Sequence, residues 1–80
     1  MGKALELNPY LAPAFNARGY ARMRMKQYKE AIGDFDQAIK LNPAYGNAYT
    51  NRSTAKRALG DKAGADADQA KARDLLRNAK

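Results

Sequence analysis

The sequence repeats itself at an interval of 34 residues. Shifted by that amount, Ala4 falls on Ala38 and Ala72, Leu7 on Leu41 and Leu75, and Asn8-Pro9 on Asn42-Pro43. Ala14 meets Ala48, Phe15 meets Tyr49, Arg18 meets Arg52, Ala21 meets Ala55, Ala31 meets Ala65 and Asp34 meets Asp68. A period of this length marks one supersecondary unit used several times, each copy burying its apolar face against the next. It restricts the chain to stacked architectures before any local structure is considered.

The unit is helical. In the stretch 28–43, apolar residues stand at Tyr28, Ala31, Ile32, Phe35, Ala38, Ile39 and Leu41. This is the i, i+3, i+4, i+7 pattern of a helix with one broad apolar stripe. Lys29, Glu30, Asp34, Asp36 and Lys40 lie mostly off it, and Asn42-Pro43 stops it, because proline disfavours helical geometry in the residue before it. The tail of an earlier helix is expected over 2–7, then helices over about 12–25, 28–41, 47–59 and 62–78, paired antiparallel through short turns. Pro13 suits a first helical turn; Gly60 suits the left-handed residue that closes a helix, and Asp61 the cap of the next.

Composition removes most chemistry. The 80 residues hold no Cys and no His, so there is no disulfide, no thiolate nucleophile and no imidazole base or ligand. Ser53 therefore has no base to activate it. Asp34 and Asp36, like Asp66 and Asp68, are two apart on a helix and point in different directions, which makes neither a carboxylate dyad nor a calcium loop. No enzyme activity, cofactor or metal is expected. No apolar run approaches the roughly 18 residues that cross a bilayer, and no export signal is visible. Met1-Gly2 begins like a myristoylation site, but Glu6 stands where Ser or Thr is required. A cytoplasmic chain without a membrane partner is the expectation. The net charge of +7 favours acidic partners.

The period, the two-helix unit and the placing of large and small residues resemble the tetratricopeptide repeat. Phe15 holds that family's large aromatic position, Gly19 the small residue where two helices touch, and Tyr28 the aromatic after the turn. Ala31, Phe35 and Ala38 hold the core of the second helix, and Pro43 the closing proline. Tyr49, Ser53, Gly60-Asp61, Ala65 and Ala72 repeat the scheme. The resemblance implies an all-α fold of antiparallel helix pairs stacked as a short right-handed solenoid. Residues 2–9 would be a partial repeat, its second helix only; 10–43 and 44–80 would be full repeats. In the last helix Lys62, Asp66, Gln69 and Arg73 replace Tyr28, Ile32, Phe35 and Ile39, as suits a capping helix. The chain reads as the C-terminal part of an array, or as a short built array.

The resemblance also implies a site. In tetratricopeptide arrays the first helix of each pair lines a concave groove in which ligand peptides lie. Asn16, Tyr20, Met23 and Arg24 share one face of the first such helix here, and Asn47, Thr50, Asn51, Thr54 and Arg57 the matching face of the next. Asn side chains suit a peptide backbone, having both donor and acceptor, and Arg suits a carboxylate. Arg18, Arg22, Arg24, Lys26, Arg52, Lys56 and Arg57 gather on the inner helices, so a basic groove and an acidic peptide are expected. Arg18 and Arg52 could equally serve the core, their stems covering apolar surface. One subfamily grips the acidic C-termini of heat-shock chaperones with a carboxylate clamp. Asn51 matches its asparagine, but Asn16 and Tyr20 stand where a lysine and an asparagine would be, so chaperone binding is not expected.

Two other functions fit the sequence. A structural role would use Leu5, Leu7, Leu11 and Phe15 as a surface for end-to-end stacking or self-association. Nucleic-acid binding through the basic face ranks third, because the aromatics that stack bases are few.

Overall fold

In a computed structural model, described over residues 11–78, the chain forms four helices: α1 (Leu11–Arg24), α2 (Tyr28–Leu41), α3 (Gly46–Ala58) and α4 (Lys62–Asn78). They pack as two hairpins, α1 with α2 and α3 with α4, and α2 also packs on α3. α1 and α3 meet along a narrower contact, which puts them side by side on one face. This is the expected all-α stack of helix pairs. Leu5 and Leu7, and the partial repeat expected at 2–9, lie outside the described residues.

The core follows the period. Phe35 is fully buried with Ala31 and Ala55, flanked by Met23, Tyr28 and Ile32. A second cluster joins Ala12, Ala38 and Ala48 with Phe15, Ile39, Leu41 and Tyr45. Alanine recurs because helix axes must come close for one large ring to fill the space between them. Gly19 is the extreme case, since a Cβ there would lie 2.6 Å from Cε1 of Phe35. The second repeat puts Ser53 at Gly19's place and Gln69 at Phe35's. On α4, Lys62, Asp66, Gln69 and Arg73 are all exposed, whereas Ala65, Asp68 and Ala72 are buried.

Both hairpin turns use one backbone design. After α3, Gly60 takes φ +90°, its N–H reaches Arg57 O at 3.0 Å, and Asp61 N–H reaches Lys56 O at 2.9 Å. After α1, Lys26 N–H reaches Met23 O at 2.9 Å and Gln27 N–H reaches Arg22 O at 2.8 Å. These are the paired bonds of a Schellman closure. Lys26, however, has φ +64°, a left-handed conformation that costs an L-residue roughly 1–2 kcal/mol. Lys26→Gly is therefore expected to raise stability by about 0.5–1 kcal/mol, net of the extra freedom glycine gains in the unfolded chain. Urea unfolding checks this; an unchanged or lowered midpoint would contradict it. Asp61 caps α4 as expected, its Oδ1 accepting the Gly64 N–H at 2.9 Å.

Candidate peptide-binding groove

The face formed by α1 and α3 carries a chain of polar side chains. Asn16 Nδ2 donates to Tyr45 Oη at 3.4 Å, and Asn51 Nδ2 donates to Asn16 Oδ1 at 3.1 Å. All three side chains are half-buried, and the last bond crosses from one repeat to the next. Among the described residues nothing donates to Asn51 Oδ1, so an acceptor remains on this face. Thr50 Oγ1 donates to Gly46 O and Thr54 Oγ1 to Thr50 O, both at 3.3 Å. Their hydroxyl protons are thus held by their own helix, leaving acceptor lone pairs and methyl groups outward. Asn47 and Arg24 are exposed, and Tyr20 is 47% exposed. Of the expected groove residues, Asn16 and Asn51 are in direct contact, whereas Asn47 stands at the start of α3 and Arg24 at the end of α1, at opposite ends of the face.

Two expected groove residues are engaged elsewhere. Met23 is half-buried against the Phe35 cluster. Arg57 reaches outward to α4, its Nη2 donating to Gln69 Oε1 at 3.1 Å and to Asp66 Oδ1 at 3.3 Å.

Charge on the inner helices is largely neutralised from the outer ones. Asp34, buried on α2, accepts from Arg18 at 2.8 Å and lies 3.4 Å from Arg22. One repeat later Asp68, buried on α4, accepts from Arg52 Nη2 at 2.7 Å and lies 3.1 Å from Lys56. Arg52 also donates to Asp36 of α2 at 2.7 Å, bridging the two repeats. Each arginine lies over the aromatic one turn before it, Arg18 at 5.7 Å from the Phe15 centroid and Arg52 at 5.4 Å from that of Tyr49. The Asp34 hydrogen bond, and then its charge, hold the Arg18 pKa above its ordinary value. The hydrogen bond with Asp68 raises that of Arg52, against the opposing effect of burial, with help from Asp36. Burial alone would push Asp68 up, but hydrogen bonds from Arg52 and Lys56, with their charges, hold it below the usual carboxylate range.

Of the seven cations on the inner helices and the turn after α1, five, Arg18, Arg22, Arg52, Lys56 and Arg57, therefore pair with carboxylates of α2 or α4. Arg18 and Arg52 each pair with a buried carboxylate and lie over an aromatic ring, although the Arg18 side chain remains 56% exposed. Arg24 and Lys26 have no carboxylate partner among the described residues, so free positive charge sits at the turn end of the groove rather than along it. The sequence did carry this signal: Arg18 to Asp34 and Arg52 to Asp68 are both 16 residues apart. Tyr45 stands in a connecting loop, outside the helical periodicity that marks the other groove residues.

The match to known proteins agrees with this architecture. The family model for the tetratricopeptide repeat matches residues 12–45, which span α1, α2 and the loop after them. The chain belongs to the tetratricopeptide repeat family. It is 43% identical over 49 residues, 61% of its length, to small glutamine-rich tetratricopeptide repeat-containing protein 2 of Mycosarcoma maydis. It is 37% identical over 73 residues, 91% of its length, to RNA polymerase II-associated protein 3 of Xenopus tropicalis. A third relative, the STIP1 homolog of Dictyostelium discoideum, is 38% identical over 68 residues, or 85% of the chain. The matched stretches make up 14%, 11% and 12% of those relatives, so the similarity concerns repeats and not whole proteins. Tetratricopeptide repeats are protein-interaction modules, and these two helix pairs are of that kind.

Proposed function

We propose that the chain is a non-catalytic module that binds a peptide segment of a partner protein in the groove between α1 and α3. The observation that carries this reading is the Tyr45–Asn16–Asn51 relay. It fixes two amides across the joint between repeats and leaves the Asn51 carbonyl oxygen to accept from a peptide N–H. Tyr20 and the methyl groups of Thr50 and Thr54 offer apolar contact beside it. Acidic character in the peptide would be read at the turn end by Arg24, because most other inner-helix cations are already paired.

A peptide screen by fluorescence polarisation tests this, using labelled 12-residue peptides that pair an acidic end with an uncharged segment. For the tightest binder, Asn51→Ala and Asn16→Ala are each expected to weaken binding about fivefold to tenfold, the worth of one or two neutral hydrogen bonds. Gln37→Ala on α2 should change nothing. Equal affinity for all three variants would remove the groove from the account.

A second reading, self-association, is favoured by one specific observation. Ala14 and Ala21 are exposed, while Ala48 and Ala55, one period later, are fully buried beneath α2. The same face of α1 carries a pocket of about 280 Å³ lined by Leu11, Ala14, Phe15 and Arg18. Another helix or a second copy could cover it. Sedimentation velocity over a wide concentration range separates the readings: a rising sedimentation coefficient supports stacking, and a constant one removes it. The nucleic-acid reading draws no support from a face whose cations are mostly bound to carboxylates.

A further inference from the structure

The cations without a carboxylate partner among the described residues include four that stand together at one edge. Arg24, Lys26 and Lys29 flank the α1–α2 turn, and Lys62 follows the α3–α4 turn. Between them lie two of the four large apolar side chains left exposed among the described residues, Met25 at 60% and Leu59 at 47%. They are one period apart, and each precedes the left-handed residue of its turn. Asn16 and Asn51 are bonded to each other, and α1 and α3 end eight and seven residues further on, about 12 and 10 Å away at 1.5 Å per residue, with Met25 and Leu59 the next residue of each. They therefore leave the molecule at the same edge. Two acids share it, Glu30 and Asp61, and the carboxylate of Asp61 is occupied as the cap of α4. The opposite edge, with the loop 42–45 of Asn, Pro, Ala and Tyr, carries no charge in that loop.

We propose that this turn edge docks on an anionic lipid surface, with Met25 and Leu59 entering the interface and the four cations lying against the headgroups. Turn tips are the outermost points of a helical hairpin, so what covers them must meet them as a surface. Apolar insertion and basic attraction are each weak alone, and peripheral binding takes both. Among the described residues no helix is long and apolar enough to cross a membrane, but docking at the surface needs none. The groove runs along α1 and α3 beside this edge and shares Arg24 with it, so an occupied edge competes with the acidic end of a peptide at Arg24 and leaves Asn16, Thr50 and Asn51 uncovered.

Vesicle co-sedimentation of the intact chain tests the proposal, using phosphatidylcholine vesicles with and without phosphatidylserine. Binding is expected only with phosphatidylserine and should weaken as salt rises. The double substitution Met25→Gln with Leu59→Gln should weaken it at least about tenfold. Lys26→Glu with Lys62→Glu should weaken it far more than Lys40→Glu with Lys71→Glu, which changes the net charge equally but away from the turns. All the substituted side chains are exposed, and circular dichroism melts verify that the variants fold. No binding with phosphatidylserine, equal losses from the two charge reversals, or full binding by the Met25/Leu59 variant would each overturn the proposal. So would a turn edge that captured an acidic protein segment and left the vesicles in solution.

Discussion

Phe35→Ala is expected to lower the melting temperature by on the order of 20 °C, or to leave the chain largely unfolded at room temperature. Among the described residues Phe35 is the one large side chain with no exposure, and it fills the space between α1, α2 and α3. Removing a buried ring costs about 3–5 kcal/mol, because the space it leaves collapses only in part. A domain of this size has on the order of 4–12 kcal/mol in total. Gly19 bounds the site from the other side, where a Cβ would already lie 2.6 Å from the ring. A thermal melt followed at 222 nm measures the effect. A fall of less than about 5 °C would mean that the two repeats are held by something other than this contact.

Asp68→Ala is expected to cost about 2–3 kcal/mol, near the low end for breaking a buried ion pair. Its carboxylate is 7% exposed and serves both Arg52 and Lys56, which are 18% and 24% exposed. Arg52 keeps Asp36 at 2.7 Å, which limits the loss. Asp36→Ala, by contrast, removes a half-exposed partner and should cost less than about 1 kcal/mol. The same pair sets the acid response. Because Asp68 titrates below its ordinary value when folded, its stabilisation is complete above the unfolded-state pKa near 3.8 and disappears as the pH falls through the lower folded value. Stability should thus be flat in Asp68's contribution near neutrality and fall in acid below about pH 4. Urea midpoints taken from pH 7 to pH 2.5 should show a shallower acid decline for Asp68→Asn than for the parent chain. Parallel declines would assign the acid response to other carboxylates.

The repeat made the fold legible. A 34-residue period with an apolar stripe over 28–41 leads directly to paired helices, and α2 and α4 have the ends their patterns predict. α1 and α3 begin and end one residue earlier than expected. The destination of charge shows in the sequence only as the shared 16-residue spacing of Arg18 to Asp34 and Arg52 to Asp68. Seven cations on the inner helices and the turn after α1 suggest a basic groove, but Asp34 and Asp68 sit on the buried side of the outer helices and draw four of those cations towards them. Facing is settled by packing angle as well as by periodicity, and packing angle is not written in either helix alone. Tyr45 shows the same limit, since its hydroxyl becomes part of the groove only because the loop before α3 folds back against α1.

The central claim, that a peptide lies along α1 and α3, is tested most directly by mapping. The tightest 12-residue peptide from the polarisation screen is titrated into the ¹⁵N-labelled chain. The account predicts that the largest amide and side-chain shifts fall on Asn16, Tyr20, Thr50, Asn51 and Thr54, with Arg24 marking the acidic end of the peptide. Shifts concentrated on the outward residues of α2 and α4, with the Asn16 and Asn51 side-chain amides unmoved, would contradict it.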